Sequence, residues 1–367
     1  MARATGIGSL PGTDIREALR GVREILAVDD HLPYLPELPA RGPGADLIGR
    51  AAGLLVDLHV DLQPAGWRLV ERPGHDASRT GALWRQDLDE LAEAFDGWQG
   101  ELKLACTGPW TLAANLELTR GEKVLVDPGA VRDLTGSLAE GIRLHLETVQ
   151  RLVPGARLVL QVDEPSLPAV LAGHLPTASG YGYLRTVDPQ RAMNGLSEVL
   201  AAAGTHPLAP VPGDGDGDPR LDPRGGAQRS GGADHGDEVP LGEARATVVH
   251  CCDRAIPLPL LRAAGVSAVA LDVTDLTPQR WESIAATTEQ GVALWAGCLA
   301  TDGSGTSKAA ARMVERGWSD AGLSPRGLAD LVASPTCGLA GLTPQGAWSV
   351  QRKAVEVAAE WTERAES

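Results

Sequence analysis

Residues 247–273 read TVVHCCDRAIPLPLLRAAGVSAVALDV. The opening residues are small, β-branched and apolar on both faces, the pattern of a strand buried on both sides. The following PLPLLRAA predicts a helix over 257–264, since proline is tolerated in a first turn. A second apolar run predicts a strand over 268–273. Strand, helix and strand in such close succession form one unit of an α/β fold with parallel strands.

The same alternation extends in both directions. Buried strands are predicted over 5–9, 33–36, 102–107, 158–162, 292–297 and 331–334. Amphipathic helices are predicted over 14–26, 45–59, 84–95, 130–152, 189–203, 278–290, 307–321 and 344–365. Thr277-Pro278 and Thr343-Pro344 carry start signals, threonine as N-cap and proline in the first turn. Eight strand-then-helix units predict a (β/α)8 TIM barrel rather than an open doubly wound sheet, in one domain over 1–367.

Two stretches break the rhythm. Residues 206–242 are rich in Gly, Asp, Pro and Arg and nearly devoid of large apolar side chains. Such a segment buries too little to offset its ordering entropy, so a mobile insertion is expected. Its GDGDGD lacks the downstream glutamate and flanking helices of a calcium loop. Residues 60–82 contain GWRLVERPG, which predicts a small hairpin or lid outside the barrel.

Composition narrows the class. An apolar fraction of 43% supports a sizeable core, and one Phe against nine Trp fits a GC-rich genome. A formal charge of −15 argues against nucleic acid, whose backbone demands clustered Lys and Arg. Five cysteines, an odd number in a long chain, make no disulfide framework and fit a reducing cytoplasm. MARATGIGSLPG has no apolar h-region, and no apolar run approaches the roughly 20 residues that span a bilayer. The expectation is a cytoplasmic protein with neither membrane nor nucleic-acid partners.

The chemically suggestive clusters all fall where a strand gives way to a loop: GIGSLPG, PELPARG, CTGPWT, VDEPSL, HCCD, LDVTD and SPTCGL. In a barrel these positions meet at the C-terminal face, where catalytic groups gather. Residues two apart on a strand share a face, so His250 and Cys252 can hold one Zn²⁺ while Cys251 points away. Cys337 arrives from the last strand, and Asp272 offers an oxygen. In VDEP, a carboxylate of Asp163 or Glu164 either caps a helix or binds a substrate ammonium; Glu37 is a second acidic candidate. Gly8 and Ser9 suit a carboxylate held by main-chain N–H groups. Trp110 reads equally as packing or as pocket wall.

GIGSLPGTD, PELPARGPGADLIGR, CTGPWTLA, LQVDEPSL, VVHCCD and SPTCGL, in this order, resemble the C-terminal catalytic barrel of cobalamin-independent methionine synthases. The wider superfamily includes uroporphyrinogen decarboxylases, which lack the metal motif. The resemblance covers nearly the whole chain outside the insertion. It implies zinc on His250, Cys252 and Cys337, with Asp272 standing where the family has glutamate. It implies contacts from Ile7, Gly8 and Ser9 to the carboxylate of homocysteine, and from Glu37 and Asp163 to its amino group. The chain departs from the family in having no second barrel. WAGCLATDGSG also lacks the family's catalytic histidine after strand seven, leaving Asp302 as the nearest acid. Both differences weigh against methyltetrahydrofolate as methyl donor, since its tertiary amine needs a placed acid; a methylcorrinoid does not. The implied activity is methylation of homocysteine to methionine. The alternatives are alkylation of another thiol, such as a coenzyme-M-like acceptor, and a binding barrel with structural zinc.

Overall fold

A computed structural model describes residues 1–204 and 245–367. The 206–242 segment, with its GDGDGD run, lies outside the described residues. Among the described residues nine strands occur in chain order: β1 Arg3–Ala4, β2 His59–Gln63, β3 Gly66–Val70, β4 Gly100–Thr107, β5 Ala156–Asp163, β6 Thr247–Cys251, β7 Ala268–Asp272, β8 Ala293–Leu299 and β9 Val332–Pro335. Seven form one parallel, curled sheet in the order β1-β9-β8-β7-β6-β5-β4. Residues 32–37 close the gap between its edges. Leu32 N–H donates to Ala4, Leu35 N–H to Lys103, and Glu37 N–H to Gly8, with parallel bridges at Tyr34–Lys103 and Ser9–Glu37. The result is a (β/α)8 barrel of the TIM type, with helices packed outside the strands.

The second stave is a set of bridges rather than a continuous strand because Pro33 and Pro36 carry no N–H to give. Inside the ring, Leu32, Val159, Val248, Ala268, Ala270, Trp295 and Val332 form their own apolar cluster. The larger cluster fills the layer between strands and helices. Alternation sets which residues face inward: Val159, Gln161 and Asp163 on β5, and Val248 and His250 on β6.

Two helices differ from the sequence expectation. The helix expected over 45–59 spans only Leu47–Ala52, and Gly53 follows as its C-cap. The chain then enters the β2–β3 antiparallel hairpin, inside the stretch read as a hairpin or lid. The helix expected over 84–95 begins earlier, at His75. Its first turns carry few large apolar residues because they pack through Thr80, which is buried against Gly44 and Gly53. Among the described residues no helix is long and apolar enough to cross a membrane.

Candidate metal centre

His250 lies in β6, Cys252 follows that strand, and Cys337 lies just beyond β9. In the ring β6 and β9 are separated by β7 and β8, so curvature across the mouth brings the cysteines together. One ligand atom from each of the three residues lies within 4.8 Å of the others. Around a tetrahedral zinc such atoms sit about 3.5–3.8 Å apart, so a small adjustment closes the set. His250 is buried, whereas Cys252 and Cys337 are partly exposed toward the mouth.

The histidine is prepared for a ligand. Its Nδ1 lies 2.7 Å from Asp163 Oδ1, while its Nε2 is buried without a hydrogen-bond partner among the described residues. Asp163 and His250 are register partners on adjacent strands, which places the carboxylate beside the ring. A carboxylate on the outer nitrogen is the usual companion of a metal-binding histidine. Interaction between the two thiols pulls Cys337 down and, with burial, pushes Cys252 up. The buried bare nitrogen and the soft sulfur pair fit zinc. Cys251 faces the other way, buried, its thiol toward the Asp253 carbonyl.

Asp272 does not join this group. Its Oδ1 accepts from Thr274 N (2.9 Å) and Thr274 Oγ1 (2.5 Å), and Oδ2 lies 3.5 Å from an Arg254 nitrogen. Both of its oxygens are thus engaged by the local turn and a basic neighbour. Asp302 is exposed, and its carboxylate accepts from the backbone N–H of Ser304. The Ser304 side chain, and then its backbone N–H, hold this carboxylate below the usual range.

Ile7, Gly8 and Ser9 tie the mouth together. Gly8 O accepts from Glu37 N and Ser9 O from Leu339 N, so this segment bridges the Glu37 and Cys337 loops. A Cβ on Gly338 would come 2.0 Å from Ser9 Oγ, so a larger residue there would have to turn the Ser9 hydroxyl away. Glu37 is buried, and burial raises its carboxyl to about 7 against the pull of Arg50, whose Nε lies 3.6 Å away. Arg50 and Arg41 both bind the fully buried Asp87, at 2.5 Å and at 2.7 and 2.9 Å. Trp84 lies under the Arg50 guanidinium at 3.9 Å.

Of the two VDEP acids, Glu164 is the cap, though of a different helix. It accepts from Trp110 N, Thr111 N and Thr111 Oγ1, capping Pro109–Asn115 from the neighbouring strand. Gly108 leaves room for it, since a Cβ there would lie 2.4 Å from Glu164 Oε1. Trp110 is a packing residue, buried, with its Nε1 on the Ala192 carbonyl.

Sequence reasoning missed Lys103 and Gln161, both fully buried inside the ring below His250. The available signal was a lone polar residue at an inward position of an otherwise apolar strand, in ELKLACT and LVLQVD.

No protein-family model and no curated protein matches the chain. Among solved structures, a B12-independent methionine synthase from Shewanella sp. W3-18-1 in complex with selenomethionine is similar at 12% identity. That match covers 81% of this chain and 70% of that one, with TM-score 0.46. A cube-shaped, porous cage designed by fusing symmetric oligomeric domains is similar at 10% identity, covering 100% and 76%, TM-score 0.38. The carboxyl transferase domain of Rhizobium etli pyruvate carboxylase with 3-bromopyruvate is similar at 14% identity, covering 100% and 53%, TM-score 0.25. Likeness this slight bears no weight for activity, and the chemistry is read from the residues.

Proposed function

We propose that this chain is a zinc-dependent methyltransferase that methylates the thiol of homocysteine to give methionine. The observation that carries the proposal is the convergence of His250, Cys252 and Cys337 at the barrel mouth with His250 Nε2 bare and buried. Zinc, when bound there, would supply the charge that keeps a substrate thiol deprotonated at neutral pH.

The chain's own groups divide the remaining work. Asp163 Oδ1 orients His250, and its Oδ2 accepts no hydrogen bond among the described residues. That second oxygen and the Glu37 carboxyl, which interact electrostatically, suit a substrate ammonium. Ser9 and the main chain of Ile7 and Gly8 lie beside the Cys337 loop, where a substrate carboxylate would complete the amino-acid end. Partial exposure of both cysteines supports a working site over a structural one, which is normally closed by four protein ligands. Methyl transfer, rather than another reaction of a thiol, draws on the motif resemblance. The ionised, exposed Asp302 is a poor acid, which favours a methylcorrinoid donor over methyltetrahydrofolate.

The test is methionine formation by the zinc-loaded chain from homocysteine, with methylcobalamin and methyltetrahydrofolate assayed side by side. Turnover with methylcobalamin alone is expected. No methionine from either donor overturns the methyltransferase assignment. Equal turnover of a thiol without an amino group overturns the choice of homocysteine.

A further inference from the structure

Below the metal centre, inside the ring, a buried cation is wired to the metal-facing histidine. Gln161 places one amide atom 2.9 Å from the carbonyl oxygen of Ile7, which can only accept, so that atom is the nitrogen. The same nitrogen donates to Asp163 Oδ1 at 2.8 Å. The amide oxygen therefore faces Lys103 Nζ, at 2.6 Å. Lys103 Nζ donates as well to Ile7 O at 2.9 Å and to Gly6 O. Three acceptors require three N–H bonds, which only the ammonium possesses. Burial pulls this lysine down to about 7, and the negative charges of Asp163 and Glu37 oppose that fall.

We infer that Lys103 and Gln161 are positioning residues that fix the orientation and tautomer of His250 through Asp163. The inference rests on the metal reading of the site. The chain is continuous: Lys103 to Gln161, Gln161 to Asp163 Oδ1, and Asp163 Oδ1 to His250 Nδ1 at 2.7 Å. That carboxylate oxygen, already accepting from Gln161, takes a second bond from a protonated Nδ1. The lone pair is thereby left on Nε2, the buried atom without a partner. The arrangement sets the ring before any metal arrives.

The readout is the protonation of the two His250 ring nitrogens. It is measured by long-range ¹H–¹⁵N NMR on the metal-stripped, full-length chain at one pH just below 7, where Lys103 keeps its proton. His250→Gln supplies the assignment. In the wild type Nδ1 should carry the proton and Nε2 should be bare. Gln161→Met keeps the bulk of the side chain and removes both polar atoms. It should give mixed tautomers and weaken zinc affinity by about tenfold or more, measured by competition with a chromogenic chelator. Lys103→Met should shift the same ring signals in the same direction.

A folded Gln161→Met with unchanged ring-nitrogen shifts and zinc affinity overturns the inference. So does a variant that loses thermal stability while its ring signals stay put, because packing alone would do that. If both variants fail to fold, the wild-type ring decides, and a proton on Nε2 overturns the relay. A wild-type chain that binds no zinc refutes the metal reading alone, since the metal-free ring signals still decide the relay.

Discussion

Removing the Asp163 carboxylate should weaken zinc binding even though Asp163 is no ligand. Its Oδ1 accepts from His250 Nδ1 at 2.7 Å and from Gln161 Nε2 at 2.8 Å, and the residue is only 6% exposed. Asp163→Asn retains one oxygen that can accept both bonds but loses the charge. A charge-assisted bond contributes about 1.5–3 kcal/mol and a neutral one about 0.5–1.5, so the difference is about 1–1.5 kcal/mol. That corresponds to a loss of about five- to thirteenfold in zinc affinity. Asp163→Ala leaves two buried donors without an acceptor and frees the ring to change tautomer. Its loss should reach the upper part of the roughly 10- to 100-fold range typical of partners behind a metal ligand. The assay is zinc competition against a chromogenic chelator, with circular dichroism and a melting curve confirming that each variant is folded. The expected order of affinity is wild type, then Asn, then Ala. A folded Asp163→Ala with wild-type affinity refutes the orienting role and returns Asp163 to substrate binding alone.

Further outcomes follow from the same geometry. Cys251→Ser should keep its zinc while Cys252→Ser and Cys337→Ser lose it, by metal analysis of purified protein; the reverse would mean a one-residue slip of β6. Asp272→Asn should bind zinc with unchanged stoichiometry, because its carboxylate is engaged by Thr274 and Arg254; loss of the metal would make it a fourth ligand. Methionine, which presents an ammonium but no thiol, should bind more tightly as pH rises toward about 7, where Glu37 ionises, and level off above; Glu37→Gln should flatten that profile in a calorimetric titration. The folding contribution of Glu37 has the opposite sign. Its folded-state value lies above the ordinary 4.5, so stability from the retained proton is full below about 4.5 and lost as pH passes about 7.

Much of the barrel was legible because its signals are local. A strand buried on both faces needs a continuous apolar run, and a helix start needs a cap and a first turn, as at Thr343-Pro344. Alternation along β6 likewise separates His250 and Cys252 from Cys251 without reference to any other strand. The early start of the helix at His75 was hidden because it packs through Thr80 against glycines, a contact between segments distant in sequence.

The residues of one chain segment thus carry their own strand, its faces and its donor atoms in the amino-acid order alone. What surrounds those atoms is set by neighbours across the ring. The β5–β6 register puts Asp163 on His250, Arg254 and Thr274 draw Asp272 aside, and curvature past β7 and β8 delivers Cys337 to Cys252. Lys103 and Gln161 were unremarkable letters in apolar strands until closure of the ring buried them beneath the histidine. Hydrogen bonds and charge interactions act over a few ångströms in space, and spatial neighbours come from the fold, whereas strand and helix patterns act over a few residues of sequence.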